Sequence, residues 1–161
     1  MSVLTVLKFP DAMLNKKANK IYTIDKELLL IITDLIETMF YYDALGIAAT
    51  QVRIDKRIII INMSNNYIIQ PFVLINPEIL FHRGSFISDE GCLSFPNLFV
   101  KIKRDKDIYI KFVDITGLIH FLKASNMLSI CAQHEIDHIN GLTIYDRTTN
   151  LKKKIILKNF T

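Results

Sequence analysis

Apolar residues recur at helical spacing from Asp25 to Tyr42, where Leu28, Ile32, Leu35, Ile36 and Met39 fall on one stripe and Thr23 or Asp25 stands ready as the N-cap. The pattern predicts a core helix there. It then shortens into β-rich stretches: Arg57 to Asn62 with four consecutive isoleucines, Phe72 to Ile75 between two prolines, Ile108 to Val113 with alternation, and Leu118 to Leu122. Asp114-Ile115-Thr116-Gly117 has the chemistry of a hairpin turn between the last two. Helical spacing returns from Ser125 to Asn140 and stops at Gly141, a residue suited to the position after a helix end. The tail Leu151 to Phe160 reads as a short amphipathic helix, with Leu151 and Ile155 inward and Lys152, Lys153, Lys154 and Lys158 outward.

This order, helix, strands, then helix, without regular βαβ alternation, predicts an α+β fold built on antiparallel sheet. The 161 residues suffice for one well-buried core and fall short of two ordinary domains, so residues 1–161 are read as one domain. Half the residues are hydrophobic and 22% are charged, which excludes a disordered chain, and no apolar run approaches the ~18 residues that span a bilayer. Met1 to Pro10 has neither a basic segment followed by an apolar one nor the Arg- and Ser-rich make-up of a transit peptide, so the expected location is cytoplasmic. A net charge of +4 permits an anionic partner, but apart from Lys101 to Lys106 and Lys152 to Lys154 the basic residues are dispersed. Two cysteines, Cys92 and Cys131, are too few for a disulfide scaffold.

Candidate chemistry centres on Gln133-His134-Glu135-Ile136-Asp137-His138. On a helix, residues four apart share a face about 6 Å apart along the axis, so His134 and His138 can grip one ion. Glu135 projects about 100° away and would reach a metal-activated water from the side. A catalytic site of this kind takes three protein ligands and leaves one position open. Cys131 lies about 10.5 Å of helix rise from His138, too far for one straight helix to converge all three side chains on an ion. Cys92, in Glu90-Gly91-Cys92-Leu93-Ser94, is the better third ligand, since Gly91 lets backbone approach closely and a metal would favour the thiolate. Ala44-Leu45-Gly46-Ile47-Ala48-Ala49-Thr50-Gln51 adds small residues ending in an amide that can donate to a developing oxyanion.

Together the three segments resemble the motifs of peptide deformylase: a Gly-x-Gly-x-Ala-Ala-x-Gln loop, Glu-Gly-Cys-Leu-Ser, and Gln-His-Glu-x-Asp-His. The resemblance extends from Val6-Leu7-Lys8-Phe9-Pro10-Asp11, through Ile75-Asn76-Pro77-Glu78 and Asp114 with Gly117, to Gly141 and Tyr145-Asp146-Arg147, and so covers nearly the whole chain. It implies antiparallel sheets packed around a central metal-binding helix, and removal of the N-formyl group from the initiator methionine of nascent polypeptides. By that resemblance Cys92, His134 and His138 bind one divalent ion, Glu135 is the general acid/base, and Gln51 with the Leu93 N–H stabilises the oxyanion. Gly46 and Glu90 line the substrate groove, Met127, Ile130, Cys131 and His134 border the methionine pocket, and Glu90 pairs with Arg104. The implied physiological ion is Fe²⁺; a Cys-His-His set by itself also suits Zn²⁺, Co²⁺ and Ni²⁺. The implied partners are N-formylmethionyl nascent peptides met by a monomer, with transient ribosome contact, no membrane and no specific nucleic acid sequence.

Three positions depart from the family pattern. Ala44 replaces a glycine, which would cost about 1 kcal/mol if that backbone needed positive φ; Thr50 stands where proline is common, and Phe99 where an arginine often helps hold the substrate. The short tail after Arg147 weakens any carry-over of ribosome docking through a long C-terminal helix. Two other readings stay open on the residues alone: a zinc endopeptidase with Asp146 as the downstream ligand, and a catalytically silent module binding ribosomes through Lys152 to Lys154.

Overall fold

In a computed structural model, which describes residues 2–62 and 70–161, the four isoleucines of β2 (Ile58–Asn62) explain how the layers meet. Side chains alternate across a strand. Ile59 and Ile61 pack into a cluster with Ala132, Ile136 and Ile139, while Ile58 and Ile60 pack into another with Leu28, Ile32, Leu35 and Met39. A strand buried on both faces reads as continuous apolar sequence, and this one lies between two helices. The first is α1 (Lys26–Tyr41), capped by the Asp25 side chain, which accepts from the Leu28 N–H at 2.8 Å. The second is α2 (Met127–Ile139), which carries the two histidines.

The described strands form one antiparallel sheet in the order β1-β2-β3-β4-β5, with β1 at Gly46–Ala48, β3 at Pro71–Cys92, β4 at Phe95–Val113 and β5 at Ile119–Ser125. The several sheets anticipated are thus one continuous sheet. Register shifts at Ile75/Glu78 and Ile79/Phe81 interrupt the β3–β4 ladder, and such irregularities bend strands. α2 packs against β1, β2, β4 and β5, at the centre of the fold.

Three expectations need correction. β3 and β4 are far longer than the short strands predicted, because the added stretches carry charge on an exposed face and conceal a buried one: Val100, Ile102 and Arg104 are buried while Lys101 and Lys103 are exposed. α2 starts at Met127 instead of Ser125, since Ser125 still pairs with Asp107 and Asn126 turns at φ 54°. The terminal helix α4 (Asn150–Phe160) exists but presents another face: Leu151 is 73% exposed and Ile155 44%, whereas Ile156 is fully buried. Ile156 packs with Phe95, Leu98 and the partly buried Phe160, and Lys153 lies over the Tyr145 ring instead of pointing outward.

The end of α2 is fixed by its sequence. Gly141 adopts φ +77°, and the Gly141 and Leu142 N–H groups return to the His138 and Asp137 carbonyls at 3.1 and 2.9 Å. A Cβ at Gly141 would stand 2.6 Å from the Asn15 carbonyl oxygen, so this position excludes larger residues twice over. A short helix, α3 (Ile144–Arg147), follows.

Candidate active site

His134 and His138 project from successive turns of α2 with ring centroids 5.0 Å apart. Cys92, the last residue of β3, brings its Sγ to 3.3 Å from His138 Nε2, and the three ligand atoms all lie within 4.8 Å of one another. A tetrahedral ion with bonds of about 2.0–2.3 Å holds its donors roughly 3.5 Å apart, so a thiolate and two imidazoles so placed fit a divalent metal in both chemistry and spacing. Burial alone would raise the Cys92 thiol, but His138 and His134 facing it hold it well below the usual thiol range. Burial likewise opposes charge on His134, and Cys92, Glu90 and Glu135 reverse that and raise it. For this coupled pair the direction that stands is a thiolate at Cys92, the form a metal takes.

Behind His134 runs a buried chain of charges. His134 Nδ1 meets Glu90 Oε2 at 2.9 Å, which fixes the ring and leaves Nε2 for the site. Arg104 grips Glu90 with two bonds, Nε to Oε1 at 2.7 Å and Nη2 to Oε2 at 2.9 Å, and donates from Nη1 to Asp137 at 2.6 Å. Asp137 in turn accepts two bonds from Arg147 at 3.0 and 2.6 Å, and Ser88 donates to Glu90 at 2.6 Å. Burial works against the Glu90 charge, yet Arg104, His134 and Ser88 outweigh it and bring its carboxyl down to about 2.

Glu135 is 5% exposed, and its Oε2 and His138 Nδ1 have no hydrogen-bond partner among the described residues. Burial raises the Glu135 carboxyl in spite of His134 and His138. Buried polar atoms without partners are rare, and here both belong to one site. The reason for glycine at 46 is also visible: a Cβ there would come within 2.7 Å of Glu135 Oε1. Gln51 spends its Oε1 on the Ala48 N–H at 2.9 Å, so Nε2 is turned toward Cys92 Sγ, 3.6 Å away, and Ser94 Oγ, 3.3 Å away. Leu93 sits in the turn between β3 and β4; no backbone bond outside the strand ladders uses its N–H among the described residues, and its carbonyl accepts from Lys8 Nζ at 2.5 Å.

The remaining predicted residues are distributed unevenly. Met127, 60% exposed, and the half-buried Ile130 line a cleft of about 330 Å³ together with Phe86. Cys131 does not line it; it packs into the core beside Ala132, and burial, with Glu135 and Glu90, pushes its thiol up to about 11. Asp146 caps α3 by accepting from the Thr143 N–H at 2.7 Å, which removes the downstream ligand the endopeptidase reading needed. Ala44 is not among the residues with positive φ; Asp43 takes that role at 50°, so the expected penalty at Ala44 does not arise. Phe99 is exposed and lies across from Gly91, its ring within 2.9 Å of where a Cβ would stand. Ser88, Ser94, Lys8 and the Arg147 contact were not anticipated as site features. A single sequence marks none of them: Ser94, Lys8 and Arg147 act through partners 10 or more residues away, and Ser88, two residues from Glu90, gains its role only because Glu90 is buried.

With this geometry in view, the likeness to known proteins is specific. The sequence model of the family described as polypeptide deformylase matches residues 3–154. The peptide deformylase of Pseudoalteromonas translucida (strain TAC 125) is 39% identical over 158 residues, 98% of this chain and 94% of the relative, and that of Wigglesworthia glossinidia brevipalpis is 40% identical over 152 residues, 94% and 99%. Among solved structures, the Legionella pneumophila peptide deformylase superposes with a TM-score of 0.92 at 30% identity, covering 98% of this chain and 93% of that one. The Ehrlichia chaffeensis enzyme in complex with actinonin gives 0.93 at 32%, covering 99% and 96%. The chain belongs to the peptide deformylase family, enzymes that remove the N-formyl group from nascent peptides.

Proposed function

We propose that this enzyme hydrolyses the formyl group of N-formylmethionyl peptides at one divalent metal ion held by Cys92, His134 and His138, with Glu135 as general acid/base. The observation that carries the reading is the convergence of those three ligand atoms beside a buried, unpartnered Glu135 carboxylate oxygen. When bound, the ion supplies Lewis acidity and lowers the pKa of water toward ~7. A formamide resists hydrolysis because its carbonyl is a weak electrophile and its nitrogen a poor leaving group. Glu135 removes a proton from the attacking water and returns it to the departing nitrogen, so that formate and a free amine result. Gln51 Nε2 and the Leu93 N–H donate to the oxygen that gains charge, and loss of one such donor typically costs about 3 to 4 kcal/mol.

Glu90 keeps His134 oriented while its own charge is held by Arg104. Gly46 admits the substrate backbone close to Glu135, and Met127 and Ile130 form the apolar surroundings of the methionine side chain, with Cys131 packed in the core behind them. The donor set accepts Zn²⁺, Ni²⁺ and Co²⁺ as well as Fe²⁺; the family resemblance favours Fe²⁺ as the physiological ion. Among the described residues no helix is long and apolar enough to cross a membrane; a substrate formed on nascent chains supports a cytoplasmic location for the reaction.

The test is formate release from formyl-Met-Ala-Ser under anaerobic conditions with metal-loaded protein. Wild type should turn over, and Glu135→Ala should fall by about 10²- to 10⁴-fold. No release by wild type, or undiminished release by the variant, would sink the reading.

A further inference from the structure

The face of α2 turned away from the histidines borders a second cleft, of about 600 Å³, which Ile136 and Asn140 line. Ile136 lies about 160° around the helix from His134 and His138, Asn140 follows at the helix end, and the cleft shares none of the residues assigned to the site above. Its size falls in the range of small-molecule sites.

The key feature of its wall is Arg57, just ahead of β2 and only 8% exposed. Nη1 donates to the Ile139 carbonyl at 3.1 Å and Nη2 to the Pro77 carbonyl at 3.5 Å. A guanidinium has five N–H donors, and these bonds use two. Among the described residues no carboxylate pairs with it; burial draws its pKa down, and Glu78 opposes this only at longer range. Capping the carboxyl end of α2 explains the Ile139 bond. It does not explain why Lys17, Lys20 and Lys111, none of them in an ion pair among the described residues, line the same cleft with Glu78 as its one carboxylate. A buried cation with no carboxylate in direct contact, only Glu78 at longer range, is costly, and an anion seated here would relieve that cost.

Apart from Asn76 and Asn140, the former with its amide already bonded to the Ile21 backbone, the rest of the lining is apolar. Ile79, Phe112 and Ile136 supply hydrocarbon surface, with Ile119, 57% exposed, also on the lining. A bare inorganic anion would leave that surface wet and most of the volume empty, and a neutral apolar molecule would leave Arg57 uncompensated. We propose that this cleft binds a small anionic amphiphile, its single carboxylate or phosphate head against Arg57 and the lysines and its hydrocarbon body on Ile79, Phe112 and Ile136.

The test uses zinc-loaded, ¹⁵N-labelled full-length protein without substrate, so its outcome is independent of the deformylase reading. Octanoate, octyl phosphate, octanol and inorganic phosphate are titrated separately below their aggregation concentrations. Octanoate or octyl phosphate should give saturable shifts at the amides of Lys17, Ala18, Ile79 and Asn140, and whichever binds more tightly identifies the head group. Octanol and inorganic phosphate should bind at least tenfold more weakly. The rim substitutions Lys17→Glu and Lys111→Glu should each lower affinity at least tenfold while leaving the unfolding midpoint and the rate of formate release unchanged. No saturable shift with either anion, equal binding of octanol, an adventitious response confined to the Cys92 and Met127 side, or indifference to both lysine variants would overturn the proposal.

Discussion

A carboxyl group proposed to work as a base is held at Glu135 in surroundings that disfavour its charge. Its pKa is raised from the usual 4.5, first by burial, so the folded protein is penalised for ionising it while the unfolded chain is not. The stability associated with its neutral form is present below about pH 4.5 and lost as pH rises through the folded-state value. Glu135→Gln should therefore raise the unfolding midpoint of metal-free protein at pH 7, and the gain should vanish as pH falls below 4.5, even though formate release should fall as it does for Glu135→Ala. Urea titrations at both pH values check this, and a variant less stable than wild type at pH 7 would refute it. Gly46→Ala probes the same carboxylate from the other side. Its Cβ, 2.7 Å from Oε1, must displace Glu135, and a misplacement of about 1 Å can cost 10²-fold in rate. The expected result is a fall in kcat of about that size with metal content and fold intact, measured by formate release and metal analysis.

At the level of elements, what the sequence revealed depended on how each segment is buried. α1 and α2 were legible because their apolar stripes face one way, and β2 because both its faces are covered. The charged halves of β3 and β4 were not, since Arg104 occupies a buried strand position and ordinary patterning counts it as exposed. In α4 the error came from counting apolar residues without knowing what they would meet: Ile155 and Ile156 are adjacent and equally apolar, and only the aromatic cluster of Phe9, Phe95 and Phe160 selects Ile156. Ile156→Ala should cost about 2 to 5 kcal/mol, whereas Leu151→Ala should stay within roughly 0.5 kcal/mol of wild type. Chemical denaturation of the two variants separates the readings; equal effects would restore the face inferred from spacing.

Across the whole molecule, the buried charges tie together elements far apart in the chain: Glu90 on β3, Arg104 on β4, Asp137 on α2 and Arg147 on α3 form one connected series ending at His134. The convergence of the candidate ligands was legible because Cys92, His134 and His138 sit in short motifs with a chemical reason for each spacing. Of the supporting network only the Glu90–Arg104 pair was anticipated, and that through the family resemblance, because a carboxylate in one strand and a guanidinium in the next carry no local signal of their pairing. Its energetic consequence is a dependence on acid. Glu90 falls from 4.5 to about 2 on folding, so its contribution is complete above pH 4.5 and is lost progressively toward pH 2. Glu90→Gln should remove that contribution, costing about 3 kcal/mol at neutral pH since it leaves Arg104 with Asp137 alone, and should weaken metal binding by about 10- to 100-fold through the loosened His134. The stability gap between wild type and variant should therefore close as pH drops from 4.5 to 2. Urea midpoints measured on metal-free protein across that window decide the matter, and two curves that stay parallel would show that Glu90 is not the group through which acid loosens this core.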